Sequence, residues 1–151
     1  QESKFNLIFA TGDAQHGKIS GELEGYVPSN INVVPYIYDM GNVMAAADLV
    51  VCRAGAITIS ELTALGVPSI MIPSPYVTAN HQEYNARALE KQGAAVVILE
   101  KNLNSTLLYE QIAGLLGNRE QLKKMSSNAR KMGITNASEK IYGMIEELVK
   151  K

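Results

Sequence analysis

The amino-acid sequence predicts an α/β fold in which an open, Rossmann-like parallel sheet is flanked by helices. Short segments rich in Val and Ile alternate with segments of helical periodicity, and repeated strand–helix–strand units form parallel sheets. Three of the strand segments are almost continuously apolar, which is typical of strands buried on both faces of a sheet. The predicted strands are Lys4–Ala10, Asn32–Tyr36, Leu49–Cys52, Ser69–Ile72 and Ala94–Leu99. The predicted helices between them are Ala14–Glu24, Asp39–Ala47, Ile57–Leu65 and His81–Gln92.

The last third of the chain carries no strand signal and has three apolar stripes at helical spacing. Asn118 and Asn136 stand at capping-box positions, and Gly117 and Gly133 are expected to end the helices before them. We expect all three helices to pack over the sheet. The stripes are Leu108, Ile112, Leu115 and Leu116, then Leu122, Met125, Ala129 and Met132, and then Ile141, Met144, Ile145 and Leu148.

Composition limits the class of protein. The 151 residues are 46% hydrophobic and 19% charged, with a formal net charge of −1, which fits one folded domain over residues 1–151 and excludes a disordered chain. No apolar run is long enough for a membrane span, and the polar start is unlike a signal peptide. The near-neutral charge balance argues against a protein that binds nucleic acid through its overall charge, although a local basic patch stays open. One cysteine and two histidines argue against a disulfide or a metal centre and favour a reducing, cytoplasmic location.

The strongest candidate for a ligand site is the segment Cys52–Glu61, where a buried strand runs into a helix. Parallel sheets bind ligands at the carboxyl ends of their strands. The small residues Ala54–Ala56 let backbone N–H groups approach a ligand, and a helix that starts near Ile57 or Thr58 offers its positive end to a diphosphate. Glu61, three residues after Thr58, can accept hydrogen bonds from ribose hydroxyls. The alternative is an ordinary turn whose Glu61 complements the helix dipole.

Two residues next to this turn have simpler interpretations. Cys52 has no catalytic partner near it in the sequence, and we interpret it as a packed small hydrophobic residue rather than a nucleophile. Arg53 is either a contact to phosphate or to a partner, or a solvated arginine. His16 lies in no comparable context, and we expect it in a loop.

A second group of polar residues follows the strand Ser69–Ile72. Two prolines in Pro73–Tyr76 force the chain into a loop, after which a helix presents His81, Gln82 and Asn85. Their i,i+3 and i,i+4 spacings bring these side chains together, and imidazole and amide groups suit a hydroxyl-rich ligand such as a sugar. The alternative is an ordinary polar helix start with Asn80 as its cap.

A third segment, Tyr36–Met40, leads from a strand into a helix. Ile37 and Met40 offer an apolar slot and backbone groups to a planar base. The alternative is a simple connection in which Asp39 caps the helix.

Together and in this order, the three segments resemble the C-terminal domain of the MurG family. The resemblance runs from about Asn32 to Ala95 and is most specific in Cys52–Pro68 and Asn80–Ala95. Members of this family transfer N-acetylglucosamine from UDP-N-acetylglucosamine to undecaprenyl-linked N-acetylmuramyl-pentapeptide in peptidoglycan synthesis. The resemblance implies the GT-B fold, with two Rossmann-like domains across a cleft, and inversion at the anomeric carbon.

The resemblance also implies roles for individual residues. Ile37 aligns with the isoleucine whose backbone recognises uracil, and Glu61 with the glutamate that holds the ribose hydroxyls. Gln82 aligns with a glutamine that contacts the sugar, with His81 and Asn85 beside it. The residues implied around the donor diphosphate and sugar are Ala56, Ile57, Thr58, Ile59 and Ser60. No metal and no cofactor are implied.

Several parts of the family's enzymes have no counterpart in these 151 residues. The N-terminal domain, which holds the lipid-linked acceptor, contacts the inner face of the bacterial membrane and supplies the proposed catalytic base, is not included. The first strand of the C-terminal domain and its Gly-rich loop are not included either. We therefore expect the chain to retain part of the UDP-N-acetylglucosamine site but to be inactive alone. The alternatives are the donor-binding subunit of a dolichol-linked transferase and a non-catalytic nucleotide-binding or interaction module of the same fold.

Overall fold

The computed structural model describes residues 5–150 and has the α/β architecture that the sequence predicts. The strands are β1 (Leu7–Ala10), β2 (Ile31–Val34), β3 (Val50–Cys52), β4 (Ser69–Met71) and β5 (Ala95–Val97). The helices are α1 (Asp13–Leu23), α2 (Met40–Ala46), α3 (Ala56–Leu65), α4 (His81–Lys91), α5 (Ser105–Leu116), α6 (Arg119–Met132) and α7 (Ala137–Val149). Short 3₁₀ helices span Thr78–Asn80 and Glu100–Asn102. Each predicted strand and helix is present, with bounds that either coincide with the prediction or differ from it by at most three residues. Lys4 lies outside the described residues.

The strands form two parallel sheets. In one sheet β1 pairs with β2, with Leu7 opposite Ile31. In the other, β4 lies between β3 and β5. The chain divides into two compact units, Gln1–Val43 and Met44–Lys151, and the boundary falls within α2.

In the N-terminal unit, α1 follows β1 after a turn at Gly12, whose φ of 77° favours glycine. His16 lies within α1, so the expectation of a loop position is wrong. Its Nδ1 is 3.2 Å from the hydroxyl oxygen of Thr11, and that oxygen is 3.3 Å from the carbonyl oxygen of Val34 at the end of β2. The start of α1 is thereby linked to both strands of this unit.

The core of the C-terminal unit lies on the two faces of β4. Because side chains alternate along a strand, Ile70 faces one cluster and Met71 the other, and both are fully buried. Helices α5 and α6 cover the face of Ile70, while α3 and α4 cover the face of Met71. Helix α6 reaches both clusters, through Met125 on one side and Ala129 on the other. The prediction that the C-terminal helices pack over the sheet is confirmed for α5 and α6.

Helix α7 does not follow that prediction. None of its residues is buried within the described part of the chain, and its apolar stripe is exposed. The capping residues also differ: Asn118 Oδ1 accepts a hydrogen bond from the Gln121 N–H at 3.0 Å, whereas Asn136 makes no such bond. Gly117 and Gly133 do end α5 and α6. Among the described residues, no helix combines the length and apolarity needed to cross a membrane.

Candidate functional site

The candidate site of the C-terminal unit lies at one edge of its sheet. Because β3, β4 and β5 are parallel, their carboxyl ends meet at the same edge. The chain leaves β3 and enters α3 after three residues, and it leaves β4 and enters α4 after a longer loop. The amino ends of α3 and α4 therefore both follow this edge, which is where ligands bind in α/β sheets.

The turn into α3 exposes backbone donors. Gly55 is the N-cap with φ −68° and ψ 145°, and no side chain caps the helix among the described residues. The first hydrogen bond of the helix joins the Ile59 N–H to the Gly55 carbonyl oxygen at 3.0 Å. The N–H groups before it have no acceptor within the helix and point outward. Ala56 is the first helical residue, one position earlier than predicted, and Ile57 is 78% exposed.

The side chains of α3 differ in burial and in whether they already make a hydrogen bond. The side chain of Glu61 is exposed and makes no hydrogen bond or ion pair with another described residue, so its carboxylate is available to a ligand. The Ser60 hydroxyl donates to the Ala56 carbonyl oxygen at 2.9 Å. Ser60 can therefore accept a hydrogen bond from a ligand as it stands, but must rotate to donate one. Thr58 and Ile59 are half-buried.

The start of α4 has an unusual backbone. Ala79 and Asn80 both adopt the left-handed conformation, with φ of 52° and 51°. Left-handed alanine costs roughly 1–2 kcal/mol, so the surrounding loop must hold this geometry. Asn80 occupies the N-cap position, but its side chain donates to Glu83 Oε2 at 2.8 Å instead of capping the helix. The exposed His81 donates from Nδ1 to the Thr78 carbonyl oxygen at 2.9 Å, which leaves Nε2 as an acceptor in the neutral ring.

Gln82 and Asn85 tie α4 to the loops at the sheet edge. The Ser74 N–H donates to Gln82 Oε1 at 3.0 Å, so the amide nitrogen of Gln82 remains available as a donor. Asn85 Nδ2 donates to the Ala54 carbonyl oxygen at 3.4 Å. The structure thus links the second group of predicted residues to the turn that begins α3. These contacts give Gln82 and Asn85 a structural role that their spacing does not indicate.

The contacts of Arg53 were not predicted from the sequence. Its Nη1 donates to the Ile72 carbonyl oxygen at 3.1 Å and is ion-paired with Glu100 Oε2. Glu100 is 47 residues away in the chain, and no local pattern links the two positions. Cys52 packs partly buried against the core, and burial raises the pKa of its thiol to about 11, in agreement with its interpretation as a packed residue. Residues 5–150 contain no cluster of potential metal ligands.

Ile37 lies in the N-terminal unit, between β2 and α2, whereas the other nine candidate residues lie in the C-terminal unit. Its neighbours Tyr36 and Tyr38 pack edge to face with ring centroids 5.1 Å apart. Asp39 caps α2, since its Oδ1 accepts a hydrogen bond from the Asn42 N–H at 3.3 Å. The role of Ile37 toward a base stays a prediction.

The fold and site define an α/β domain that presents an uncapped helix start and a free carboxylate at the carboxyl ends of parallel strands. Comparison with known proteins identifies its family. The family model of the glycosyltransferase family 28 C-terminal domain matches residues 1–141, and the chain belongs to this family.

Relatives and solved structures agree with this assignment. The chain is 64% identical over 146 residues to the UDP-N-acetylglucosamine–N-acetylmuramyl-(pentapeptide) pyrophosphoryl-undecaprenol N-acetylglucosamine transferase of Acetivibrio thermocellus. The match covers 97% of this chain and 40% of that protein. The crystal structure of Acinetobacter baumannii MurG matches with a TM-score of 0.84 and 31% identity, over 97% of this chain and 42% of that one. The glycosyltransferase VinC, solved with dTDP, matches with a TM-score of 0.69 and 18% identity, over 86% of this chain and 29% of that one, a likeness of fold. The chain spans about 40% of the length of its curated relatives.

Proposed function

We propose that the chain is the donor-binding part of an inverting transferase that moves N-acetylglucosamine from UDP-N-acetylglucosamine to undecaprenyl-pyrophosphoryl-N-acetylmuramyl-pentapeptide. The observation that carries the proposal is the uncapped start of α3, with the free carboxylate of Glu61 one turn further along. The similarity to relatives named for this reaction favours the undecaprenyl-linked acceptor over a dolichol-linked one. Residues 1–151 would form one UDP-sugar-binding domain.

The geometry suggests how each part would act. The N–H groups of Ala56 and Ile57 would bind the diphosphate, and the positive end of α3 would stabilise the negative charge that develops on the departing UDP. Glu61 would accept hydrogen bonds from both ribose hydroxyls. The free amide nitrogen of Gln82 would donate to the sugar, with His81 and Asn85 beside it.

The acceptor and the catalytic base would belong to the remainder of the complete enzyme. That enzyme would work in the cytoplasm at the inner face of the bacterial membrane, and the chain by itself would bind donor without transferring the sugar. Its partners would be UDP-N-acetylglucosamine and, through the rest of the enzyme, the lipid-linked acceptor, with no role for nucleic acid.

A graft tests this function. The chain replaces the matching 40% of the Acetivibrio thermocellus transferase, and transfer from UDP-N-acetylglucosamine to the undecaprenyl-linked acceptor is measured. We expect activity, and we expect Glu61→Ala to raise the KM for the donor about 10- to 150-fold, because a charged hydrogen bond contributes about 1.5–3 kcal/mol. Glu110→Ala, at another exposed glutamate, is the control. A folded graft without activity, or an unchanged KM in Glu61→Ala, would contradict the proposal.

A further inference from the structure

We propose that Glu100 is a positioning residue of the donor site, acting through Arg53 to fix the turn between β3 and α3. This inference rests on the proposed function for what the site binds. The carboxylate of Glu100 is paired with the guanidinium of Arg53, which also donates to the Ile72 carbonyl oxygen at 3.1 Å. One side chain thereby connects the segments that follow three neighbouring strands.

The position of each partner supports this role. Arg53 directly follows β3, Ile72 directly follows β4, and Glu100 begins the 3₁₀ helix after β5. That short helix is closed by two backbone hydrogen bonds, from the Asn102 N–H to the Leu99 carbonyl oxygen at 2.8 Å and from the Leu103 N–H to the Glu100 carbonyl oxygen at 3.1 Å. The backbone at Glu100 is therefore fixed by hydrogen bonds.

Its place in the fold distinguishes this pair from the other ion pairs of the described residues, although the side chain of Arg53 is 53% exposed. The side chain of Glu100 is 28% exposed, less than either partner in the Lys18–Glu22 pair or in the contacts of Arg87 with Glu83 and Glu90. The other pairs also join residues three or four positions apart on one helix. Only the Arg53–Glu100 pair among them connects separate elements, so only its loss can let two elements shift.

The turn into α3 is held from two sides. Arg53 links its beginning to Ile72 directly after β4 and to Glu100 after β5. Asn85 donates to the carbonyl oxygen of the next residue, the fully buried Ala54. The backbone donors of Ala56 and Ile57 follow within three residues. Their direction toward a diphosphate depends on where this turn lies, because a hydrogen bond weakens when its donor is displaced or misaligned. Loss of Glu100 removes the link from Arg53 to the segment after β5 and leaves Arg53 only its hydrogen bond to the Ile72 carbonyl oxygen, which loosens one side of the turn.

A competing role for Arg53 is direct contact with the diphosphate, and the two roles predict opposite effects of removing Glu100. If Arg53 binds phosphate itself, loss of the neighbouring negative charge leaves donor binding unchanged or makes it tighter. If the pair positions the turn, loss of Glu100 weakens donor binding, and removing both residues is no worse than removing Arg53 alone.

The first test needs no ligand. Hydrogen–deuterium exchange of the 151-residue chain is compared with that of Glu100→Gln and of Glu90→Gln, which removes an ion pair confined to α4. We expect faster exchange in residues 53–59 for Glu100→Gln, with a melting temperature close to that of the parent, and no change there for Glu90→Gln. Unchanged exchange in residues 53–59 would overturn the positioning role, whatever the chain binds.

The second test uses donor kinetics in the grafted transferase. We expect Glu100→Gln to raise the KM for UDP-N-acetylglucosamine about tenfold with a smaller change in kcat, and the Arg53→Ala/Glu100→Ala double variant to match Arg53→Ala. An unchanged or lower KM in Glu100→Gln would overturn the proposal. If the parent graft shows no activity, the proposed function fails, and the exchange measurement still decides whether Glu100 fixes the turn.

Discussion

Asn85 on α4 donates its side-chain amide to the carbonyl oxygen of Ala54, 31 residues earlier in the chain and directly before the N-cap of α3. The contact links two helices whose amino ends follow neighbouring strands. Gln82, three residues before Asn85, accepts a hydrogen bond from Ser74 in the loop after β4. The first turns of α4 thus connect both loops of the candidate site.

Gly55 gives a prediction that separates stability from binding. Its backbone has the extended conformation that any N-cap residue can adopt, and a Cβ added there meets no atom within 4 Å. Gly55→Asp is therefore expected to cap α3 and to raise the free energy of unfolding by about 0.5 kcal/mol. The same carboxylate would occupy the amides that we propose bind the diphosphate, so affinity for UDP-N-acetylglucosamine should fall at least about tenfold.

Urea unfolding and calorimetric titration of the same samples measure both effects. Gly55→Asn is the matched control, since it caps the helix without adding charge and should lose less affinity. A variant with increased stability and unchanged donor affinity would show that the diphosphate does not bind at this helix start.

Gln82 gives a prediction about the sugar. Gln82→Glu keeps an acceptor for the Ser74 N–H but removes the amide donor, so we expect an unchanged melting temperature with weaker binding of UDP-N-acetylglucosamine. Affinity for UDP should change less, because UDP lacks the sugar. Gln82→Leu leaves the Ser74 N–H unpaired and should also reduce the free energy of unfolding by about 1 kcal/mol. Equal losses of affinity for both ligands in Gln82→Glu would contradict the sugar contact.

Cys52 gives a prediction about alkaline stability. Burial raises the pKa of its thiol from 9.0 to about 11, so the folded protein holds this proton more tightly than the unfolded chain does. Its contribution to the free energy of unfolding is complete below pH 9 and is lost between pH 9 and pH 11, by up to about 3 kcal/mol.

Cys52→Ala isolates this effect from the tyrosines and lysines that titrate in the same range. The difference in free energy of unfolding between the parent and Cys52→Ala, measured in urea, should be constant from pH 7 to pH 9 and then decrease as pH rises. If the free energies of unfolding of the parent and Cys52→Ala changed in parallel up to pH 11, burial would not raise the pKa of this thiol.

Gly133 gives a prediction about packing of α6 against α3. Its φ of −68° suits any residue, but a Cβ there would lie 2.7 Å from the Thr63 carbonyl oxygen and 3.1 Å from the Ala64 Cα. Because these are backbone atoms, Gly133→Ala should reduce the free energy of unfolding by about 1–3 kcal/mol. Gly114→Ala, in α5 with no atom within 4 Å of the added Cβ, should raise it by up to about 1 kcal/mol. Urea unfolding that ranked the two variants in the opposite order would contradict this packing.

The sequence predicted those features that depend on local patterns. Apolar runs predicted the five strands. The small residues after Cys52 predicted the turn into α3, because the conformation of such a short turn depends mainly on the residues within it. The capping position of Asp39 was also readable, since its hydrogen-bond partner Asn42 is three residues away.

Features that depend on distant contacts could not be predicted. The partners of Arg53 lie 19 and 47 residues away, and Gln82 meets Ser74 through a loop whose left-handed residues Ala79 and Asn80 carry no glycine signal. The apolar stripe of α7 is exposed, although its spacing is that of a packed helix. Periodicity shows which face of a helix is apolar, but it does not show whether another element packs against that face.

The most direct test of the central claim is a crystal structure of the chain with UDP-N-acetylglucosamine bound. We predict that diphosphate oxygens lie within hydrogen-bond distance of the backbone nitrogens of Ala56 and Ile57, and that Glu61 accepts hydrogen bonds from both ribose hydroxyls. A nucleotide bound away from the start of α3, or a ribose with no contact to Glu61, would contradict the account.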